Sequence, residues 1–470
     1  MSETLHLAER TEQFKNKRVI CLIDGEHYPP VTKSALRELQ NTGADIVGLI
    51  FLGGTEKVEN PMEELAAQDD SYQIYSGDDS IEAVLQNIHR AAEELTPDIA
   101  IDLSDEPVVD YRERFRIISH LLIEEIGYIN ADTSFSPPTF EDVLEKPSLG
   151  IIGTGKRVGK TAVSVSVSRY LKEQGVTPAV MAMGRGGPGE PEVIMPDEVS
   201  LSVEFLMEHL EQGKHVASDY WEDALLAQVP TVGCRRCGGG MSGNPFMSNV
   251  LAGVKRANRL PVDLIIMEGS GQTMAPVQTD ANILIANVNQ PAEYVTGYLG
   301  EYRVLKSDLV IFTNAGELRD NSERMRQRQN EISAINPDAD VAFTMFRPEP
   351  LDDIHGKQVF MATTAPESAL EEMAGYLEQN YDCQVVGTSG HLSDRAALRE
   401  DLHAMDSSAE VFLTELKAAS IDVGGKMAAE KSLELIFMHN RAEIIGGTIQ
   451  NLDQALLRLC DKIGAEGVSV

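Results

Sequence analysis

Residues 151–166 read IIGTGKRVGKTAVSVS, with three glycines and the pair Lys160-Thr161 set between an apolar run, LGII, and a segment whose apolar residues recur with helical spacing. A strand, a glycine-rich turn and a helix in that order are the context required by a phosphate-binding loop of the pattern G-x-x-x-x-G-K-[ST]. The backbone N–H groups from Gly155 to Thr161 then converge at a helix N-terminus, where the helix dipole adds to their pull on an anion. Lys160 contributes a point charge and the Thr161 hydroxyl a ligand for Mg²⁺. A nucleotide is therefore the expected ligand, its phosphates held by Gly153, Thr154, Gly155, Val158, Gly159, Lys160 and Thr161. The loop departs from the pattern once: its first glycine should fall at 154, where Thr154 stands between two glycines.

Strand-like and helix-like segments alternate on both sides of this loop. Before it come RVICLID (18–24), a helix from about Thr32, ADIVGLIFLGG (44–54), a helical stretch at SIEAVLQNIHRAAEEL and DIAIDLSD (98–105). That βαβαβ rhythm predicts a Rossmann-like parallel sheet, and the lack of G-x-G-x-x-G argues against a dinucleotide. The proline-rich run TSFSPPTFEDVLEKPS (133–148) reads as a linker. After the loop, PAVMAM, DLIIMEGSG, NILIANV, DLVIFTNAGE, DVAFTMFRPEP, QVFMATTAP and CQVVGTSGH continue the α/β pattern. From Leu392 the segments DRAALREDLHAM, AEVFLTELKAAS and KSLELIFMH read as amphipathic helices of a third, mixed unit. The expected fold class is thus α/β in three parts: an N-terminal α/β domain over 1–145, a P-loop ATP-binding domain with a mainly parallel sheet over 146–390, and a mixed α/β C-terminal unit over 391–470.

The formal net charge of −34 over 470 residues gives a surface that repels nucleic acid and anionic lipid, so neither is an expected partner. No apolar run is long enough to span a membrane, the first residues lack a secretory h-region, and the five cysteines are dispersed, which together predict a cytoplasmic protein. In so acidic a chain, cations placed beside glycines are informative. Arg185 in GRGGPGEPE (184–192) and Arg235 and Arg236 in CRRCGGGMSGN (234–244) offer bidentate contacts to the phosphates of a small polyanion. Cys234 and Cys237 form one C-x-x-C pair with no histidine in ligand spacing, so zinc would require distant ligands or a second chain. In the first domain, Asp24, Glu26, His27 and Lys57 stand at strand ends as candidate binding residues, whereas Arg112, Arg114 and Arg116 read as a solvated helix face.

The loop GTGKRVGKT resembles that of dethiobiotin synthetase and its relatives in the P-loop superfamily, and DLIIMEGSG is similar to their V-E-G-A-G segment. This resemblance implies that Glu268 helps hold Mg²⁺ opposite Thr161 and that Asn314, in VIFTNAGE, reads the adenine. FRPEP (346–350) after the next strand either wraps the base or is a proline-stiffened loop.

Over essentially the full length, ICLIDGEHYPPVTKSAL, GTGKRVGKTAV, MGRGGPGEPEVI, CRRCGGG, HLSDRAALREDL and FLTELKAASIDV resemble the cyclic 2,3-diphosphoglycerate synthetases, known mainly from methanogenic archaea. The resemblance implies an ATP-dependent ligase that closes 2,3-bisphosphoglycerate into its cyclic phosphoanhydride, releasing ADP and phosphate, with Mg²⁺ and a preference for K⁺. It implies catalytic roles for Lys160, Lys156, Arg157 and Glu268, and substrate contacts from Arg185, Arg235, Arg236, Arg395 and Lys417. A homodimer is expected. The alternatives are another P-loop ligase or kinase acting on a polyanion, and a nucleotide-gated switch that dimerises across ATP through a signature lysine. Lys156 precedes Lys160 by four residues rather than the five of such loops, which argues against the switch.

Overall fold

Short apolar runs bounded by turn residues form the strands, and several of the central ones are buried along their whole length, as a parallel sheet covered by helices on both faces demands. The computed structural model describes residues 11–54, 72–212, 216, 218–417 and 419–465. They divide into two units, residues 1–138 with 291–306, and residues 139–290 with 307–470. Lys57 lies outside the described residues.

The first unit contains β1 (Arg18–Ile23), β2 (Asp45–Phe51), β3 (Gln73–Tyr75), β4 (Ile99–Asp102), β5 (Gly127–Ile129) and β6 (Ser134–Phe135) in the order β3-β2-β1-β4-β5-β6. All pairs are parallel except β5 with β6, so the expected Rossmann-like sheet is present. The helix expected from about Thr32 starts at Pro29, because a proline at the first helical position is preset for the helix and loses no needed donor. Asp24 spends its carboxylate on its own turn, accepting from the backbone of Glu26 and His27, from His27 Nδ1 at 2.7 Å and from the Asp105 backbone. Gly25 is required there, since a Cβ would lie 1.5 Å from the Gly54 carbonyl oxygen.

The arginine trio is not a solvated face. Arg114 pairs with the buried Asp102, which also accepts from the Tyr128 hydroxyl at 2.6 Å, and Arg116 reaches Glu82 at 3.2 Å and Glu301 at 3.3 Å. Only Arg112 is exposed, because the helix Tyr111–Ile123 turns its other two arginines inward.

The second unit is built on one large sheet. Its strands are β7 (Ser148–Gly153), β8 (Pro178–Gly184), β9 (Glu192–Ile194), β10 (Thr231–Gly239), β11 (Pro245–Ser248), β12 (Leu264–Glu268), β13 (Ala281–Asn287), β14 (Leu309–Thr313), β15 (Asp340–Pro350), β16 (Gln358–Ala362), β17 (Gln384–Ser389), β18 (Val411–Glu415) and β19 (Glu434–Gly447). They run β11-β10-β8-β12-β7-β13-β14-β15-β19-β18-β16-β17, with β9 beside β10. The central strands from β8 to β15 are parallel, and the glycine-rich loop leaves the middle of them.

Two expectations for the C-terminal third need correction. AEVFLTELKAAS and KSLELIFMH are not helices: they form β18 and β19. VFLTE is buried at every position, and a short run rich in β-branched and aromatic residues, covered on both faces, carries no period to distinguish it from a helix. Nor does the fold break at 391, because β16 and β17 on one side of that position pair in the same sheet as β18 on the other. FRPEP is likewise no loop. It completes β15, which pairs antiparallel with β19 (Phe346 opposite Ala442) and so joins the two halves of the sheet.

Phe343 on β15 is fully buried and stacks on Phe312 of β14 with ring centroids 5.1 Å apart. Phe343→Ala should cost about 3–5 kcal/mol. Denaturant unfolding followed by circular dichroism measures it, and a loss under about 1 kcal/mol would contradict this packing.

Candidate active site

β7 ends at Gly153, where a Cβ would stand 2.6 Å from the carbonyl oxygen of Gly271. Thr154, the residue that breaks the expected glycine pattern, is an anchor. Its backbone N–H donates to Ile285 O at 2.9 Å, its hydroxyl to Gln290 Oε1 at 2.6 Å, and its carbonyl accepts from Gln272 Nε2 at 2.8 Å. The loop is thereby tied to the ends of β12 and β13. Arg157 (φ 62°) and Gly159 (φ 83°) take left-handed backbone, and the Thr313 hydroxyl donates to Val158 O at 2.7 Å. At Gly159 only glycine fits, because a Cβ would meet the Phe346 ring at 2.6 Å. The helix Lys160–Glu173 then begins, its first N–H groups left for a ligand.

In the sheet register Glu268, the last residue of β12, stands beside Ile151 on β7, two residues before the loop. It is 1% exposed; Oε1 lies 2.6 Å from Lys160 Nζ and 3.3 Å from Thr161 Oγ1. Asp223, 0% exposed, meets Glu268 carboxyl to carboxyl, and neither its own oxygens nor Glu268 Oε2 has another partner. Burial, then the proximity of Glu268, push its carboxyl well above the usual range. Asp219 is raised by burial and by Glu268, against the opposing pull of Lys160, Lys417 and Arg185. Burial pushes Glu222 up to about 7 in spite of Lys417, whose ammonium is 3.1 Å away. These three acids lie in SDYWEDALLAQ (218–228) and were missed by the sequence reading. The available signal was acids embedded in a run of Tyr, Trp and Leu that has to be buried.

A cleft of about 780 Å³ opens over the loop. It gathers Lys156, Arg157, Lys160, Thr161, Arg185, Asn314 and Lys417 from the expected residues, and adds Asp219, Glu222, Phe346, Arg347, Glu415 and Asn440. Three expected substrate arginines do not line it. Arg235 Nε donates to Pro188 O at 2.8 Å, and Arg236 Nη2 donates to Ser270 O at 2.7 Å, so both brace the loops that follow β8 and β12. Arg395 is half exposed and paired with Asp422 at 2.8 Å. Backbone carbonyls at sharp turns thus engage Arg235 and Arg236, and a carboxylate engages Arg395.

Cys234 is buried and Cys237 exposed, as residues three apart on β10 must point to opposite faces, so the pair forms no shared metal site. Among the described residues no three His, Cys, Asp or Glu side chains are grouped to hold a metal by themselves.

Models of the cyclic 2,3-diphosphoglycerate synthetase family match the chain in three segments: its N-terminal domain over residues 18–136, its P-loop domain over 148–345 and its C-terminal domain over 350–441. The cyclic 2,3-diphosphoglycerate synthetase of Methanothermobacter thermautotrophicus is 44% identical over 449 residues, covering 95% of this chain and 97% of that one. That of Methanothermus fervidus is 43% identical over 95% of this chain and 97% of its own, and that of Rubrobacter xylanophilus 43% identical over 95% and 98%. No helix among the described residues is long and apolar enough to cross a membrane.

Gly159→Ala combines a left-handed backbone with a clash against Phe346. It should weaken ATP binding by about tenfold or more, since strain of about 1–3 kcal/mol falls on the loop itself. Calorimetry with a non-hydrolysable ATP analogue reads this, and an unchanged Kd would contradict the geometry.

Proposed function

This chain belongs to the cyclic 2,3-diphosphoglycerate synthetase family, ATP-dependent ligases, and we propose that its cleft uses ATP to close 2,3-bisphosphoglycerate into the cyclic phosphoanhydride. The observation that carries the reading is the contact of the buried Glu268 with both Lys160 and Thr161 of a phosphate-binding loop, where those two residues line a cleft that also collects Arg185 and Lys417.

In this reading the reaction has two displacements. An oxygen of one substrate phosphate attacks the γ-phosphorus of ATP, the bond from that phosphorus to the β–γ bridging oxygen breaks, and ADP leaves. The neighbouring phosphate then attacks the phosphorus of the first substrate phosphate and expels the transferred group as inorganic phosphate, closing the ring. Both steps bring anions together, so fixed cations and exclusion of water are what the protein has to supply. Lys160 neutralises the transferring group from below, and Lys156 and Arg157, exposed at the loop's rim, cover it from the solvent side. Arg185 and Lys417, which line the cleft, hold the bisphosphoglycerate in this reading, and Asn314 and Phe346, which also line it, take the base. Arg235 and Arg236 act on the substrate only through the backbone they brace.

Thr161, Glu268 and Asp223 are the residues that would hold Mg²⁺. Glu268 and Asp223 bring two buried carboxyls against each other with no further partner for the facing oxygens, an arrangement that a hard cation would relieve. The set is short of a full shell because Mg²⁺ keeps waters and takes nucleotide phosphates as ligands. When bound, the ion supplies positive charge that neutralises the phosphates. K⁺ enters this reading as a counter-ion to the polyanions. A homodimer also belongs to it, supported by Met241, Phe246 and Met247, which stand 57%, 90% and 59% exposed around β11.

Lys160→Ala and Glu268→Ala should each cut release of ADP and phosphate by about a thousandfold, the scale of losing a key charge in a transfer site. A coupled assay with 2,3-bisphosphoglycerate measures it, and near wild-type rates in either variant would overturn the site. Asp223→Asn should weaken Mn²⁺ binding to the protein–ADP complex by about tenfold or more, read by electron paramagnetic resonance. Unaltered Mn²⁺ affinity would remove Asp223 from the metal site.

A further inference from the structure

A cleft that has to take up two polyanions would be expected to exclude carboxylates, yet Glu222 lines this one. Its side chain is only 6% exposed and stands 3.1 Å from the Lys417 ammonium, whose own side chain is 30% exposed. Lys417 lines the cleft as well. The carboxylate therefore sits behind the ammonium, and an incoming anion meets the lysine first.

The backbone around the pair is unusual on both sides. Glu222 immediately precedes a π-helical turn, Asp223–Ala227, and Lys417 precedes a second one, Ser420–Gly425. Such turns are rare and concentrate at functional sites, because the extra residue in the turn re-aims the side chains beside it. Here two of them converge on one ion pair, contributed by segments almost two hundred positions apart in the chain. Competing acids are close: Asp219 and Glu415 both act on the Lys417 ammonium, and with Glu222 they hold its pKa above the ordinary lysine value against the effect of burial. A lysine stem has four rotatable carbons, so without a fixed partner its ammonium would distribute itself among these carboxylates.

The geometry points to Glu222 as a positioning residue that fixes the Lys417 ammonium toward the bisphosphoglycerate end of the cleft, a role that rests on the functional reading given above. Glu222 touches no substrate in this arrangement. It acts by selecting one orientation of Lys417, and the pair works as a unit.

The test is a double-mutant cycle of Glu222→Gln, Lys417→Met and both together, with Lys417→Arg as the conservative variant, assayed for KM and kcat toward each substrate alongside thermal melting. Lys417→Met should raise KM for 2,3-bisphosphoglycerate by about tenfold or more and leave KM for ATP within about twofold, while Glu222→Gln should raise the same KM by about three- to tenfold. The double variant should be no worse than Lys417→Met alone, and Lys417→Arg should keep most of the affinity. Penalties that multiply, equal rises in both KM values, or wild-type constants in Glu222→Gln would overturn the inference. If the wild-type protein makes no cyclic product, the functional reading fails on its own. Calorimetric binding of 2,3-bisphosphoglycerate to the same four proteins then decides the pair, and equal affinities among them would overturn it.

Discussion

Glu268 lies 2.6 Å from Lys160 in the middle of a parallel sheet, 1% exposed, and the rest of the second unit is arranged around that contact. The register of β12 on β7 puts a carboxylate beside the start of the phosphate loop, and Thr154, Thr313 and Gln272 pin the loop to the neighbouring strand ends. Burying one charge is expensive unless it is paired, so the lysine and the carboxylate each make the other's position tolerable. The second acid at this place, Asp223, sits buried against Glu268 and is pushed up by burial and by that neighbour.

The same constraint explains the cleft's mixed lining. A chain of net charge −34 that handles polyanions needs positive charge concentrated in one place. Lys160, Lys417 and Arg347 are each held by a carboxylate, from Glu268, Glu222 and Glu443 respectively. Cations kept on such leashes are oriented before a ligand arrives, which avoids the cost of ordering them during the reaction. The C-terminal strands matter for this reason: β18 and β19 carry Glu415, Lys417 and Asn440 to the cleft from the far side of the sheet.

Much of this was legible in the sequence, and the limits have physical causes. The phosphate loop, Glu268 and Asn314 sit at strand ends within short local patterns, and those patterns survive without tertiary context. The departure at Thr154 looked like a flaw in the motif until its hydrogen bond to Gln290, 136 residues away, gave it a purpose. Arg235 and Arg236 stand outside the cleft lining because an arginine beside glycines serves a turn's carbonyls as readily as a phosphate. β18 and the start of β19 were read as helices because their apolar runs, paired parallel to each other and buried over VFLTE and IFMH, show no alternation. Asp219, Glu222 and Asp223 escaped because an acid in an aromatic run announces burial but not its partners, which come from β12 and from the turn after β18.

The central claim is that the γ-phosphate of ATP is transferred to a substrate phosphate and leaves as inorganic phosphate when the ring closes. Phosphorus NMR of the purified protein with ATP, Mg²⁺ and 2,3-bisphosphoglycerate tests it most directly. The account predicts that the two monoester signals of the substrate are replaced by signals of a cyclic phosphoanhydride, with ADP and phosphate formed in equal amounts. Consumption of ATP with the monoester signals intact would contradict it.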